Sequence, residues 1–473
     1  MKSHLIWSPR ITALSLLFLV NGGFLLSVIF FGFNFALYLI TALISLSLAL
    51  WQPGGALLAI ISLTIVFAKV YTLQPVVLGQ AEYKFFLLDV LMIGTYLGVV
   101  FRRFLGQSKW RWRSMDWLLI SWFALTAIYG WLSWTIWYGQ ENLIISSLKN
   151  YGFYPLLYFA TLYLINTKTK LKELAVTAGA SVVLTIGFLI YGLAAGQGWG
   201  TEITPLTTEG SRLLDFDHAF YMSLAVIGAV AYILYGLKNK WRNFWILVIP
   251  VLAFGITASL MRHLWIAGGF ATLFFIWLVV KDRSAQLKRL LLVYTVSGAI
   301  MTLAIFLVTG VLPNSALSQR FSEARNSLSA RAFSLSSSDT SVSWRSSVWQ
   351  SVWRDYQEQP VLGLGFGQKV FIDMPDYLDY VELRNVHNSF LAVFMQMGIL
   401  SFLVLMAFGW KLWSSLIREA KGGLRPWNIA MATMLLFCAV AFLFQPYLEA
   451  NFFNVIFWVL TGVSRRLYEG FTS

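Results

Sequence analysis

Cysteine is all but missing from the 473 residues: Cys438 stands alone, inside an apolar run. A single thiol excludes an internal disulfide and any cysteine-based metal cluster. Charge is scarce as well. Asp, Glu, Lys and Arg make up 12% of the chain against 58% hydrophobic residues, where a soluble domain carries roughly 25% charge. The ~10-residue alternation of a membrane barrel is absent. Apolar runs of about 20 residues, the length of a spanning helix, recur instead from end to end. The sequence therefore predicts an all-α polytopic membrane protein with about 12–14 transmembrane helices. No small-residue cleavage site follows the run from Ile11 to Phe31, so that run is expected to be an uncleaved first span. Metal motifs of the H-E-x-x-H or D-x-D kind, a phosphate loop, and a carboxylate pair spaced as in a glycosidase are missing too. Their absence weakens hydrolase and metal-dependent readings.

What charge there is lies in a pattern. The net charge is +14, and 23 of the 35 basic residues fall in clusters at alternate connections between the apolar runs. Examples are Arg102, Arg103 and Arg113, then Lys168, Lys170 and Lys172, then Lys281, Arg283, Lys288 and Arg289, and finally Arg465 and Arg466. Two spans separate most successive clusters, so all of them can face the cytoplasm, as the positive-inside rule requires. Both termini are then cytoplasmic. Topology accounts for the positive charge, and a nucleic-acid partner is not expected.

The opposite side holds the polar chemistry. His218, His263 and His387, three of the four histidines, fall there. So do the loop 196–217 and the only sizeable segment outside the spans, 311–386. The chain thus divides into an N-terminal bundle (1–310), an extracytoplasmic loop (311–386) and C-terminal transmembrane helices (387–473). Within the loop, 327–347 is serine-rich and reads as partly mobile. From Trp344 onward, Trp344, Val348, Trp349, Val352, Trp353 and Tyr356 share one helical face, which predicts an amphipathic helix on the membrane or over the bundle. Pro360 is expected to end it, and Gly363, Gly365 and Gly367 to form a flexible turn.

Four residues stand out on that side. His387 follows the large loop and begins a span; an imidazole there can take a proton from a hydroxyl, although a helix-capping role explains its position equally well. Arg262 sits in a short turn between two apolar runs, and Arg345 on the amphipathic helix. Each guanidinium can fork onto a phosphate or simply snorkel into water. Arg384 is three residues from His387 and could orient the loop or a phosphate. Lys69 lies within an apolar run and could pair with a buried acid such as Asp89.

The chain resembles the O-antigen ligase and O-antigen polymerase superfamily of bacterial membrane glycosyltransferases. The resemblance rests on Thr257-Ala-Ser259-Leu-Met-Arg262-His-Leu-Trp265, on Trp344-Arg345-x-x-x-Trp349, and on Pro360-Val-Leu-Gly363-x-Gly365-x-Gly367. It rests also on His387-Asn388 followed after nine residues by Gly398-Ile-Leu-Ser401, which is similar to H-[NSQ]-x9-G-x-x-[GTY] except at Ser401. The resemblance implies an undecaprenyl-diphosphate-linked glycan donor and a glycan or lipid A–core acceptor. It implies a metal-independent inverting transfer without a cofactor, in the bacterial inner membrane. In those terms His387, Arg262 and Arg345 would be catalytic, and Arg262, Arg345 and Arg384 would bind the donor diphosphate. A transporter of a small anion or a lipid-linked sugar is the alternative. It would be expected to bury polar groups at the bilayer midplane.

Overall fold

The computed structural model describes residues 8–68, 71, 76–78, 83–106, 112–195, 213–236, 239–311, 340–357, 359, 361–374, 377–419 and 424–471. Lys69, Pro360 and the serine-rich stretch up to 339 lie outside the described residues. So does all of loop 196–217 before Leu213. The described chain is nearly all helix, in the order α1 (Pro9–Phe31), α2 (Phe35–Trp51), α3 (Pro53–Phe67), α4 (Leu87–Phe104), α5 (Ser114–Thr135), α6 (Glu141–Leu148), α7 (Leu156–Leu164) and α8 (Lys168–Ala195). There follow α9 (Phe216–Tyr235), α10 (Lys240–Ala258), α11 (Arg262–Val311), α12 (Thr340–Tyr356), α13 (Ser389–Arg418), α14 (Arg425–Phe442) and α15 (Asn451–Glu469). Eight of these helices are long and apolar enough to cross a membrane, and α2 and α3 are shorter apolar helices. This is a multi-pass membrane protein. Two antiparallel hairpins interrupt the helices: β1 (Val76–Leu78) with β2 (Tyr83–Phe85), and β3 (Lys369–Met374) with β4 (Tyr377–Glu382).

The contacts divide the chain into two units. The first takes residues 1–178, 341–415 and 442–473. At its centre is α3, every residue of which is buried; an apolar run with no polar face has no side to turn to solvent. Gly94 and Gly98 on α4 form a small-xxx-small pair. A Cβ on Gly94 would lie 2.7 Å from Ala49 Cβ, and one on Gly98 would lie 3.1 Å from the Leu50 carbonyl oxygen. Helices α2 and α4 therefore pack backbone to backbone. Deep in the same unit, Arg465 and Asp116 pair at 3.1 Å with neither side chain exposed, and Tyr158 donates to Asp116 at 2.6 Å. Asp89 pairs with Lys149 at 2.6 Å and accepts from Tyr154 at 3.1 Å.

Lys149 belongs to a π-helical turn, Lys149–Phe153, that joins α6 to α7. By apolarity alone the run 151–165 would be expected to form one short span. It is instead the end of a broken element, because Pro155 supplies no N–H and the π-turn absorbs the misfit.

The second unit takes 179–340 and 416–441. Its α11 runs for 50 residues and kinks at Arg283 (φ −131°, ψ 27°). At 1.5 Å per residue it is about 75 Å long, far more than a bilayer. It therefore holds two expected spans, with the basic cluster 281–289 at the bend. There Asp282 pairs with Arg425, and the Arg283 guanidinium lies 5.1 Å from the Tyr235 ring centroid.

Candidate functional site

The described part of the large loop, from Thr340 onward, packs onto the start of α13 in the first unit. Val348, Val352 and Tyr356 of α12 are buried against Val370, Ile372 and Val381 of the β3–β4 hairpin and against Ala392 and Met395 of α13. The amphipathic helix is thus present and caps this end of α13. Its outlier is Trp353, which is 50% exposed instead of sharing the buried face. The sequence reading anticipated no hairpin. Its strands are six residues each, and their inward positions, Val370 and Ile372, alternate with exposed Lys369 and Phe371.

The glycine segment proves to be a fixed strap. Helix α13 breaks at Gly398 (φ 66°, ψ −177°). The break frees backbone carbonyls, and the strap takes them up. Leu364 N donates to Met395 O at 2.7 Å, and Gly365 N to Gln396 O at 3.1 Å. Gly363, Gly365 and Gly367 all have positive φ. A Cβ on Gly363 would stand 2.7 Å from Gly398 N, and one on Gly365 would stand 2.4 Å from the Trp137 ring. Glycine serves here for conformation and close approach, so the expectation of flexibility is corrected.

Above the break stands His387. Its φ is +53°, a left-handed conformation uncommon for a non-glycine residue. The turn is pinned on both sides. Trp349 Nε1 donates to Val386 O at 2.7 Å, and the Asn388 side chain caps α13 by accepting from Phe390 N and Leu391 N at 3.0 Å each. Helix capping, the bland role open to His387, thus falls to its neighbour. The imidazole is half-buried. Trp344 meets it edge to face, with centroids 5.0 Å apart and planes at 86°. Burial, and then the positive charge of Arg345, push its pKa down to about 4, opposed by the Gln445 side chain, which favours the charged form. The ring is therefore neutral near pH 7 and able to accept a proton.

Arg345 and His387 are accordingly brought together. Arg384 stays in the same turn but is engaged: its Nε donates to Glu382 at 2.6 Å and its Nη1 to Ser146 Oγ at 2.6 Å. That geometry anchors the turn to α6. Arg262 stands in the second unit, half-buried, at the first position of α11. Leu260 (φ +57°) makes the tight turn before it, and buried Ser259 closes that turn by donating to Ile256 O at 2.7 Å. Lys149, from the π-turn, supplies the cation for Asp89. Among the described residues no three His, Cys, Asp or Glu side chains gather as a metal-holding set.

Two polar residues beside this site escaped the sequence reading. They lie on the connector 443–450 between α14 and α15. The Gln445 backbone carbonyl accepts from Ser389 Oγ, two residues beyond His387, at 2.9 Å. Glu449 is buried and accepts from Tyr151, from Gln396 Nε2 at 2.8 Å and from Asn150 Nδ2 at 3.0 Å. Burial raises its carboxyl above the ordinary range, opposed by these donors. The only sequence signal was a pair of polar residues, Gln445 and Glu449, in a short break between two apolar runs.

The fold and this site define a multi-pass helical membrane protein with a neutral histidine and an arginine at the mouth of a span. Residues 247–406 match the family model Wzy_C, O-Antigen ligase, so this segment of the chain is similar to that domain family. The matched segment contains Arg262, Arg345, Arg384, His387 and the break at Gly398. The match supports a function of the O-antigen ligase or polymerase type, in surface-polysaccharide assembly. No curated protein matches the chain.

Proposed function

We propose that the chain transfers a glycan from an undecaprenyl-diphosphate-linked donor to a sugar hydroxyl of an acceptor on the extracytoplasmic face, with both termini in the cytoplasm of a bacterial inner-membrane protein. The acceptor is another lipid-linked glycan in a polymerase and a lipid A–core sugar in a ligase. The observation that carries this reading is His387: neutral, held in a left-handed turn and facing the charge of Arg345, within the segment that matches the family.

In the transfer His387 accepts the proton of the acceptor hydroxyl. That oxygen bonds to the anomeric carbon as the bond from that carbon to the diphosphate oxygen breaks, and the electron pair leaves with the diphosphate. Attack opposite the leaving group inverts the anomeric centre. Arg345 and Arg262 stabilise the departing charge with forked donors. Arg384 holds the turn and adds positive potential. The diphosphate is itself the leaving group, so the resemblance requires neither cofactor nor metal.

A broken helix such as α13 is also a feature of transporters, where unwound backbone lines a cavity. Here the strap fills the break with backbone hydrogen bonds, which supports the enzyme reading. The test is reconstitution in vesicles with undecaprenyl-diphosphate-linked oligosaccharide. Lengthened lipid-linked glycan supports a polymerase, and glycan on added lipid A–core supports a ligase. Movement of the donor across the bilayer without any transfer would refute the proposal.

A further inference from the structure

The hairpin β3–β4 has two faces, and packing accounts for only one of them. Val370, Ile372 and Val381 are buried in the cluster shared with α12 and α13. The outward face carries Lys369 opposite Glu382 and Phe371 opposite Tyr380. Lys369 is exposed, Phe371 is 40% exposed and Tyr380 is 62% exposed. The two rings lie 5.2 Å apart between centroids, with planes at 57°. The core does not call for them, because the residues beside them in the strands already fill it.

Contact with the bilayer is the ordinary use of exposed rings on a membrane protein. In this region aliphatic residues mark the bilayer side instead. Val361 and Leu362, 64% and 53% exposed, lie against the break at Gly398. Leu400 and Leu403 of α13 follow, 56% and 54% exposed. Gly398 is nine residues along α13 from Ser389, about 13 Å of helix rise. The hairpin packs nearer the start of the helix, on Ala392 and Met395. Its rings share their face with Lys369 and Glu382, residue types that belong in water.

The same face leads to the site. Successive outward rows on a strand are about 7 Å apart, so the ring pair stands one row beyond Lys369 and Glu382. Glu382 accepts from Arg384 Nε at 2.6 Å and from Nδ2 of the exposed Asn385 at 3.1 Å, and His387 follows two residues later. Arg345 stands on α12, the helix that packs against the hairpin's inward face. The charge that would meet the diphosphate and the face that carries the rings thus belong to one packed body. A pyranose matches that face chemically. Its C–H bonds can lie on an aromatic ring, and its hydroxyls can reach the Tyr, Lys and Glu side chains around it.

We propose that Phe371 and Tyr380 form a stacking platform for the sugar chain of the lipid-linked donor, beside the groups that take its diphosphate. The inference rests on the proposed glycan transfer and adds to it the place where the donor's sugars lie.

The test uses the full chain in lipid nanodiscs and two probes: undecaprenyl-diphosphate-linked oligosaccharide, and undecaprenyl diphosphate without sugar. Phe371→Ala and Tyr380→Ala should each weaken binding of the first by roughly tenfold, the scale of one lost aromatic contact, and leave binding of the second unchanged. Phe371→Trp keeps a ring and should bind the first probe like the parent. Parent-like binding of the linked oligosaccharide by both alanine variants, or an equal loss of both probes, overturns the proposal. Saturating oligosaccharide released from its diphosphate should displace the linked donor from the parent; donor binding that is unaffected overturns the assignment to the donor. A nitroxide on Phe371→Cys, with the native thiol Cys438 buried, should be relaxed by a water-soluble agent. Relaxation by lipid-dissolved oxygen alone would make the rings a membrane contact and overturn the proposal. A parent protein that binds the donor through its sugar and transfers no glycan would instead remove the proposed transfer, so the two failures are distinct.

Discussion

Gly398→Ala is expected to be among the most damaging single-methyl additions in the protein. The residue sits at φ 66°, ψ −177°, a region that is essentially glycine's alone, and forcing another residue there costs roughly 1–3 kcal/mol. The added Cβ would also meet Val361 O at 2.2 Å and Leu362 C at 2.8 Å. Those atoms cannot retreat freely, because Ile399 N donates to Val361 O at 3.3 Å and Leu364 N to Met395 O at 2.7 Å. Overpacking of this kind adds roughly 1–3 kcal/mol. The sum, about 2–6 kcal/mol, is a large share of a typical stability of roughly 5–15 kcal/mol. Gly409 provides a control on the same helix, since nothing lies within 4 Å of a Cβ built there. Gly409→Ala should be neutral or stabilise by roughly 0.5–1 kcal/mol. The assay is the thermal unfolding midpoint of detergent-purified protein: Gly398→Ala should melt several degrees lower, with Gly409→Ala at or above the parent. Equal midpoints for Gly398→Ala and the parent would refute the strap as a packed cap on a broken helix.

The depressed pKa of His387 gives a signed pH dependence. From about 6.5 down to about 4 the unfolded chain binds a proton that the folded chain does not, so this contribution to stability is whole above pH ~6.5 and declines as the pH falls, by about 3 kcal/mol once below both values. Removing the charge with Arg345→Gln should move the acid limb of kcat/KM upward but short of pH ~6.5, since burial is the larger cause; a limb that stays put would show the two side chains to be uncoupled. Arg262→Lys should lose much of the transfer activity and Arg262→Ala nearly all, with weaker binding of undecaprenyl diphosphate in each, because an ammonium cannot fork onto the diphosphate; parent-like binding and turnover in both would mean that Arg262 only snorkels. The native thiol Cys438 is buried and should give little background in labelling of intact cells. An impermeant maleimide should modify Lys369→Cys and not Gly106→Cys, and the opposite pattern would invert the topology.

Much of the fold was legible because bilayer thickness, apolarity and charge asymmetry are properties of local runs. The helix at Thr340–Tyr356 could likewise be read from the spacing of Val348, Val352 and Tyr356. What could not be read depended on partners far away in sequence. Gly363, Gly365 and Gly367 look like a flexible turn until the break at Gly398 shows what they cover. Asp89 finds its cation on Lys149, from a π-turn that no apolar run announces. The hairpin at 369–382 stayed hidden because two six-residue strands beside charged residues give a weak alternation signal. Within the site, His387 and Arg345 could be singled out by residue type and position. For Arg384 the sequence leaves open whether it orients the loop or a phosphate; Glu382 and Ser146 engage it. Gln445 and Glu449 reach the site only through the fold.

The central claim is that His387 performs chemistry instead of merely shaping the turn. It is tested most directly by His387→Ala, purified, reconstituted with undecaprenyl-diphosphate-linked oligosaccharide in chelator-treated buffer and assayed for glycan transfer beside binding of undecaprenyl diphosphate. The account predicts a membrane-inserted protein that binds the diphosphate like the parent and transfers no glycan. Transfer at the parental rate would contradict it.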